Sequence, residues 1–280
     1  MSTDLLVSIV IPSLNKGDFI EETIASINDQ NYRNIEIIVI DGGSNDKTIQ
    51  ILRRYRKAFA HCISEPDNGQ SEAINKGVAL AKGDIVGWLN ADDLLYPDGI
   101  ESIVKGFKNH QSAGLVYGGG SKIDIDGKIV KDIPYRAVDR RLLKQLYYIL
   151  QPSMYFKRKT FLDVGGVAVN YHLAMDWDLV LKVSEVADLV AVPQKIAKLR
   201  MYDGTKTSAG GLKTYQEIAD IGRRHNGITD VNYISYHARK FLYKVDLPVL
   251  KPLLRKSVDL CCSIMARGEL YMTCKWPEDL

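Results

Sequence analysis

Ile85-Val86-Gly87-Trp88-Leu89-Asn90-Ala91-Asp92-Asp93 runs from a short apolar stretch straight into an amide and two acids. An unbroken apolar run of this length reads as a strand buried on both faces, the kind found inside a parallel sheet. Two comparable runs lie upstream: Leu5 to Ile11, ended by Pro12, and Ile35 to Ile40, which enters the turn Asp41-Gly42-Gly43-Ser44. Ala60 to Ser64 predicts a shorter strand. Helical patterns fill the gaps. Asp18 is placed to cap a helix with Ile20, Ile24 and Ile27 on one face. Ile51, Leu52 and Tyr55 mark a second helix, and Ser71 opens a third with Ile74, Val78 and Ala81, stopped by Gly83. The order β-α-β-α-β-α-β predicts an α/β fold, a mostly parallel sheet flanked by helices. Polar residues gather after the strand ends, where open sheets of this kind bind ligands. An enzyme is expected.

Beyond about residue 110 the alternation stops. Leu115 to Tyr117 predicts a strand, and Lys122 to Ile125 and Lys128 to Val130 flank Asp126-Gly127, a hairpin signal. Ser153 to Phe156 predicts another strand and Trp177 to Val186 a helix. From about Thr214 the pattern is helical. The expected division is a catalytic domain over 1–210 and a C-terminal helical extension over 211–280.

Composition narrows the function. The 280 residues carry a net charge of only +3, which argues against a dedicated nucleic-acid binder. Cys62, Cys261, Cys262 and Cys274 form no C-x-x-C pair, so zinc spacing is absent and the thiols read as core filler in a reduced setting. Residues 1–6 lack a signal peptide's basic and apolar segments, and no apolar run approaches the ~20 residues needed to cross a bilayer. A cytoplasmic protein is expected. Between Arg239 and Lys256, basic residues interleave with apolar ones. Such a surface can rest on anionic lipid at the inner face of a membrane, through 237–256, or be the solvated face of a packed helical pair. No G-x-G-x-x-G or G-x-x-x-x-G-K-[ST] segment follows a strand, which excludes dehydrogenases and P-loop kinases.

Adjacent carboxylates at a strand end repel unless a cation or hydrogen bonds relieve them. Asp92 and Asp93 could therefore hold a hard divalent ion that also binds substrate phosphates, or could cap a helix. The wider pattern is more specific. Val7-Ser8-Ile9-Val10-Ile11-Pro12-Ser13-Leu14-Asn15, Ile38-Val39-Ile40-Asp41-Gly42-Gly43-Ser44, Glu65-Pro66-Asp67-Asn68-Gly69-Gln70-Ser71-Glu72-Ala73-Ile74-Asn75 and the Asn90-Ala91-Asp92-Asp93 cluster follow one another in that order. Together they resemble the family 2 glycosyltransferases of the GT-A fold, closely over residues 5–100 and more loosely to about 205.

The resemblance implies an inverting transfer of a sugar from a UDP-, GDP- or dTDP-sugar to a saccharide or lipid-linked acceptor, in surface polysaccharide synthesis, with Mn²⁺ or Mg²⁺. It places Pro12, Ser13, Asn15, Asp41 and Ser44 around the nucleoside, although Asp41 could also simply stabilise its own bend. Many relatives have a second Asp where this chain has Gly42. Asp67, Gln70 and Asn75 fall on the donor side. Asn90 stands at the first Asp of the family's Asp-x-Asp motif, leaving Asp92, then Asp93, as metal ligands. By position Asp176 is the base that takes the acceptor's proton, with Asp178 in reserve. Both acids could instead favour a helix N-terminus through its dipole. A non-catalytic nucleotide-sugar-binding domain and a nucleotidyltransferase are the alternatives.

Overall fold

A computed structural model of the chain describes residues 4–145, 147–206 and 211–226. The basic stretch 237–256 and Cys261, Cys262 and Cys274 lie outside the described residues. The four expected strands form as β1 (Val7–Ser13), β2 (Ile35–Asp41), β3 (His61–Ser64) and β4 (Ile85–Trp88), all parallel and ordered β3-β2-β1-β4. Between them come α1 (Ile20–Asn28), α2 (Thr48–Arg54) and α3 (Gln70–Leu80). Ile9, Ile11, Ile24, Ile37, Val39 and Leu89 pack into one buried core.

Several boundaries differ from the sequence expectation: α3 runs from Gln70 rather than Ser71 and ends at Leu80, before Gly83; Leu115–Tyr117 and the first hairpin arm form the single strand Ala113–Ile123; and two differences fall at β1 and α1. Pro12 does not end β1; the strand continues to Ser13, paired with Asp41. Val10 C=O accepts from Leu89 and Ser13 C=O from Gly42. By alternation Pro12 faces the β4 side, beyond that strand's last residue, where a missing N–H breaks no ladder bond. Nor does Asp18 cap α1. Phe19 holds the cap position without a side-chain bond, and Asp18 pairs with Lys47 at 2.6 Å on the surface.

The sheet continues from β4 through β8 (Met154–Lys157), β6 (Ala113–Ile123) and β9 (Asp188–Arg200) to β5 (Leu94–Leu95), with β7 (Ile129–Ile133) paired to β6. The strands β1, β2, β3, β4, β6 and β9 point one way, so the sheet is mostly parallel. Helices α4 (Gly99–Asn109), α5 (Arg140–Gln145), α6 (Arg158–Asp163) and α7 (Met175–Val186) complete this part. The Asp126-Gly127 hairpin forms, with Gly127 at φ +81°.

β9 is the element no sequence pattern announced. Its pairing with β6 skips from Tyr117↔Ala191 to Gly119↔Lys195, and Pro193 sits in that bulge. Close approach is possible because β6 carries Gly118-Gly119-Gly120. A Cβ on Gly120 would lie 2.1 Å from the Ala197 carbonyl oxygen.

Residues 1–210 form one compact unit and residues 211–280 another, in which α8 (Gly211–Asn226) is described. No described helix is long and apolar enough to cross a membrane. In the first unit, β1 leads to β2 on one side while β4 lies on the other. The carboxyl ends of β1, β2 and β4 therefore share one edge at a topological switch point, the place where open α/β sheets leave a ligand crevice.

Candidate active site

At this edge the ends of β1 and β2 are tied together. Asn15 adopts φ +51°, the left-handed region that asparagine tolerates better than most residues. Its N–H donates to Ser44 Oγ at 2.7 Å and its Oδ1 accepts from Asn45 N at 3.0 Å. Asp41 is fully buried and accepts from Ser44 N, Ser44 Oγ and Ser64 Oγ at 2.9, 2.5 and 2.7 Å. Asp41 thus fixes the turn, and Ser44 is its contact with Asn15. Pro12 and Ser13 are buried beneath them, and Ser13 Oγ has no hydrogen-bond partner among the described residues.

Gly42 explains where Asp67 goes. A Cβ on Gly42 would stand 2.9 Å from the Asp67 carboxylate, which also accepts from Gly69 N at 2.9 Å. The side chain absent at 42 leaves room for an acid arriving from the β3–α3 loop. Gly42→Asp is therefore expected to destabilise the protein by about 1–3 kcal/mol through crowding. Adding Asp67→Gly should recover most of that in thermal melts. Strictly additive losses would remove the argument.

The Asn90–Asp93 turn divides its side chains. Asp93 is 1% exposed; Arg200 N donates to its Oδ1 and Asn90 Nδ2 to its Oδ2, both at 2.9 Å. Burial, and then the charge of Asp92, push its carboxyl well above the usual carboxylate range. Asp93, expected as a metal ligand, has no surface to offer one and acts as a post for the turn. Asn90 Oδ1 accepts from Gln70 Nε2 at 2.5 Å, and Asn90 Nδ2 also donates to Gln151 Oε1 at 3.0 Å. Lys206 Nζ donates to Gln70 Oε1 at 2.9 Å.

Asp92 keeps its carboxylate near the surface, bound by two residues the sequence did not single out. Lys16 Nζ donates to Asp92 Oδ2 at 2.7 Å and to the Tyr202 hydroxyl at 2.5 Å; that hydroxyl donates to the same Oδ2 at 2.8 Å. Burial alone would lower the Lys16 pKa, but the charge of Asp92 and these hydrogen bonds outweigh it and the pKa is raised. Asp92 Oδ1 has no hydrogen-bond partner among the described residues. The fit to a divalent ion is thus narrower than two adjacent acids imply, and no three His, Cys, Asp or Glu side chains cluster among the described residues. One carboxylate oxygen still suits Mg²⁺ or Mn²⁺ when phosphate and water oxygens complete the shell.

The second acid pair also separates. Asp176 is half-buried at the first turn of α7, and its carboxyl is pushed up to about 6, burial outweighing the hydrogen bonds from Trp177 N and the Tyr147 hydroxyl. Asp178, expected as the reserve base, is fully buried and paired with Lys182 at 2.8 Å. It has no surface from which to take a proton. Asn75 is likewise committed: its amide donates to Val167 O at 2.8 Å and accepts from Val167 N at 2.9 Å, clamping α3 to the segment after α6. The N-terminus of α3 joins the two clusters. Gln70 bonds Asn90, while Ser71 Oγ contacts Met175 Sδ at 2.8 Å, one residue before Asp176.

Lys16 directly follows Asn15 in the opening motif, a signal that could have drawn attention to it. Tyr202 carries none, because 186 positions separate it from Lys16 and only β9 brings it back.

The profile described as Glycosyl transferase family 2 matches residues 8–170, more than half of the chain. The chain is 27% identical over 263 residues to a hyaluronan synthase of Pasteurella multocida, covering 88% of this chain and 27% of that protein. It is 25% identical over 285 residues to a chondroitin synthase of Pasteurella multocida (strain Pm70), covering 95% and 29%. The chain thus spans less than a third of either relative's length. Among solved structures, Staphylococcus aureus TarS 1–349 in complex with UDP superposes with a TM-score of 0.60 at 17% identity, covering 96% of this chain and 93% of that one. The mannosyltransferase PcManGT of Pyrobaculum calidifontis, with GDP-Man and Mn²⁺, gives 0.59 at 17%, covering 97% and 77%. The fold is of the GT-A type, and the chain belongs to glycosyl transferase family 2.

Proposed function

We propose that the protein transfers a sugar, with inversion, from a nucleoside-diphosphate sugar to a hydroxyl of a saccharide or lipid-linked saccharide in polysaccharide assembly. The observation that carries this reading is the split within each acid pair: the Asp92 side chain keeps 12% of its exposure and Asp176 is half-buried, while Asp93 and Asp178 are sealed in and committed. The relatives named hyaluronan and chondroitin synthases support a polysaccharide setting, and the fold neighbours carrying UDP and GDP-Man support the donor class.

In this reading the nucleoside lies over the Asn15–Ser44 tie, with Asp67 as an acceptor for its N–H or O–H groups, and the Ser13 hydroxyl gains a partner at its base. Asp92 Oδ1 would hold a divalent ion that neutralises the departing diphosphate. The acceptor oxygen bonds to the anomeric carbon as that carbon's bond to the diphosphate oxygen breaks, the electron pair leaving with the diphosphate. Asp176 takes the acceptor's hydroxyl proton, a contribution of about 10²–10⁴-fold.

Thermal melts with UDP, GDP and dTDP, each with and without Mn²⁺, test this. One nucleotide with Mn²⁺ should raise the melting temperature, since a ligand at 100 times its Kd adds about 2.7 kcal/mol. Asp92→Ala should lose the Mn²⁺-dependent part of the shift and Asp176→Ala should keep it. Equal loss in both variants, or no shift with any nucleotide, contradicts the assignment.

A further inference from the structure

Lys16 is held more carefully than a surface lysine requires. Its N–H donates to Thr48 Oγ1 at 2.9 Å and its C=O accepts from Phe19 N and Ile20 N, so the backbone is pinned at the start of α1. The ammonium rests in a built cradle of the Asp92 carboxylate, the Tyr202 hydroxyl and the Tyr202 ring, whose centroid lies 5.2 Å away. Tyr202 packs against Phe19 at 5.0 Å, and Phe19 lies under the Arg200 guanidinium. The ion pair is not sealed: Lys16 keeps 27% of its side-chain exposure and Asp92 12%.

This cradle occupies the one acid in the Asn90–Asp93 turn with an oxygen to spare. A divalent ion on Asp92 and an ammonium on the same carboxylate repel each other, and two cations so close stay together only with a second anion between them. A diphosphate is such an anion. It brings strong acceptor oxygens to the edge where the ammonium already stands, and the flexible four-carbon stem of lysine lets its head turn from one acceptor to another without moving the pinned backbone.

We propose that Lys16 is a diphosphate-binding residue that rests on Asp92 in the donor-free protein and passes to the donor's diphosphate when a divalent ion takes its place. This rests on the reading of the donor as a nucleoside diphosphate sugar. Metal and lysine then compete for Asp92 without nucleotide and act together with it. Lys16→Met should therefore change two binding constants in opposite directions.

Calorimetric titration of the full chain separates the cases. For Lys16→Met, Mn²⁺ alone should bind severalfold more tightly than to the wild type. The nucleotide among UDP, GDP and dTDP that stabilises the wild type should bind in saturating Mn²⁺ about ten- to a hundredfold more weakly, the worth of a hydrogen bond to a charged group. Lys16→Arg, which keeps the charge, should recover most of the nucleotide affinity. Both constants falling together would make Lys16 a structural residue, and an unchanged nucleotide affinity would leave it on Asp92; either overturns the proposal. Should Lys16→Met fail to fold, Tyr202→Phe provides the second reading. It removes the hydroxyl from the cradle and should tighten Mn²⁺ alone; weaker Mn²⁺ binding overturns the proposal. A wild type that binds none of the three nucleotides with Mn²⁺ defeats the donor reading itself, whereas the first two outcomes leave that reading standing.

Discussion

An Asp176→Asn protein is expected to lose transfer by two to four orders of magnitude and yet to melt at a higher temperature than the wild type. The loss follows from removing the group that accepts the acceptor's proton. The gain follows from the direction of the Asp176 shift. Burial raises its carboxyl from 3.8 to about 6, so the folded protein holds that proton more tightly than the unfolded chain does. Ionising it costs stability, and the cost grows as pH rises from 3.8 and is complete above about 6. At 1.36 kcal/mol per unit the penalty at pH 7.5 is on the order of 1–3 kcal/mol, allowing for partial solvent access. Asparagine removes the charge and keeps an acceptor for Trp177 N and the Tyr147 hydroxyl. One kcal/mol is worth roughly 2–4 °C in a protein of this size. Melts at pH 7.5 should thus separate the two proteins by several degrees, and melts at pH 4 should bring them together. The wild type's kcat/KM should fall on the acid side of about pH 6 as the base becomes protonated. A variant that melts lower at pH 7.5, or keeps transfer within tenfold, would show that Asp176 is neither strained nor the base.

The parts legible in the sequence were those written in short range. The strands β1, β2 and β4 are largely apolar runs with Gly42-Gly43 and Gly83 as punctuation, and a parallel sheet follows from their alternation with amphipathic helices. β9 was hidden because Pro193, Lys195 and Lys198 break the apolar run, and the bulge that tolerates the proline exists only against the glycines of β6. The acid pairs show the same limit more sharply. Asp92 and Asp93 are equivalent as letters, but Arg200 holds one fully inside from 107 positions away and Lys16 pairs with the other at the half-open edge of the crevice. Residues two apart on a helix do not share a face, so Asp176 and Asp178 had to differ, and only packing around α7 decided which was buried. Asp41 reads as a ligand carboxylate until Ser44 and Ser64 are seen to occupy it.

Arg200→Ala is expected to be the most damaging single change outside the proposed chemistry, because this one side chain fastens three separate segments to the edge that carries Asp92. It is 2% exposed. Nε donates to the Asp92 carbonyl at 2.9 Å, Nη1 to the Ile125 carbonyl at 2.6 Å, and Nη2 to Glu22 Oε2 at 2.6 Å. The turn after β4, the β6–β7 hairpin and α1 all close on the end of β9. Alanine would orphan two carbonyl oxygens at about 1–3 kcal/mol each if water does not reach them, and would open a cavity beneath Phe19. A loss of about 3–5 kcal/mol, typical for breaking a buried charged network, corresponds to a drop of roughly 10 °C in melting temperature. Glu22 gives the control. Its side chain is 59% exposed, so Glu22→Gln should cost no more than about 1 kcal/mol although it removes the charge that pairs with the guanidinium. Arg200→Lys keeps a cation but not the planar fork that reaches three acceptors at once, and should recover only a small part of the loss. Below its melting temperature the alanine variant should also bind Mn²⁺ and nucleotide more weakly, because the backbone of Asp92 is no longer fixed. If Arg200→Ala melts within 2–3 °C of the wild type, below about 1 kcal/mol by the same conversion, then the end of β9 is not what holds Asp92 in place.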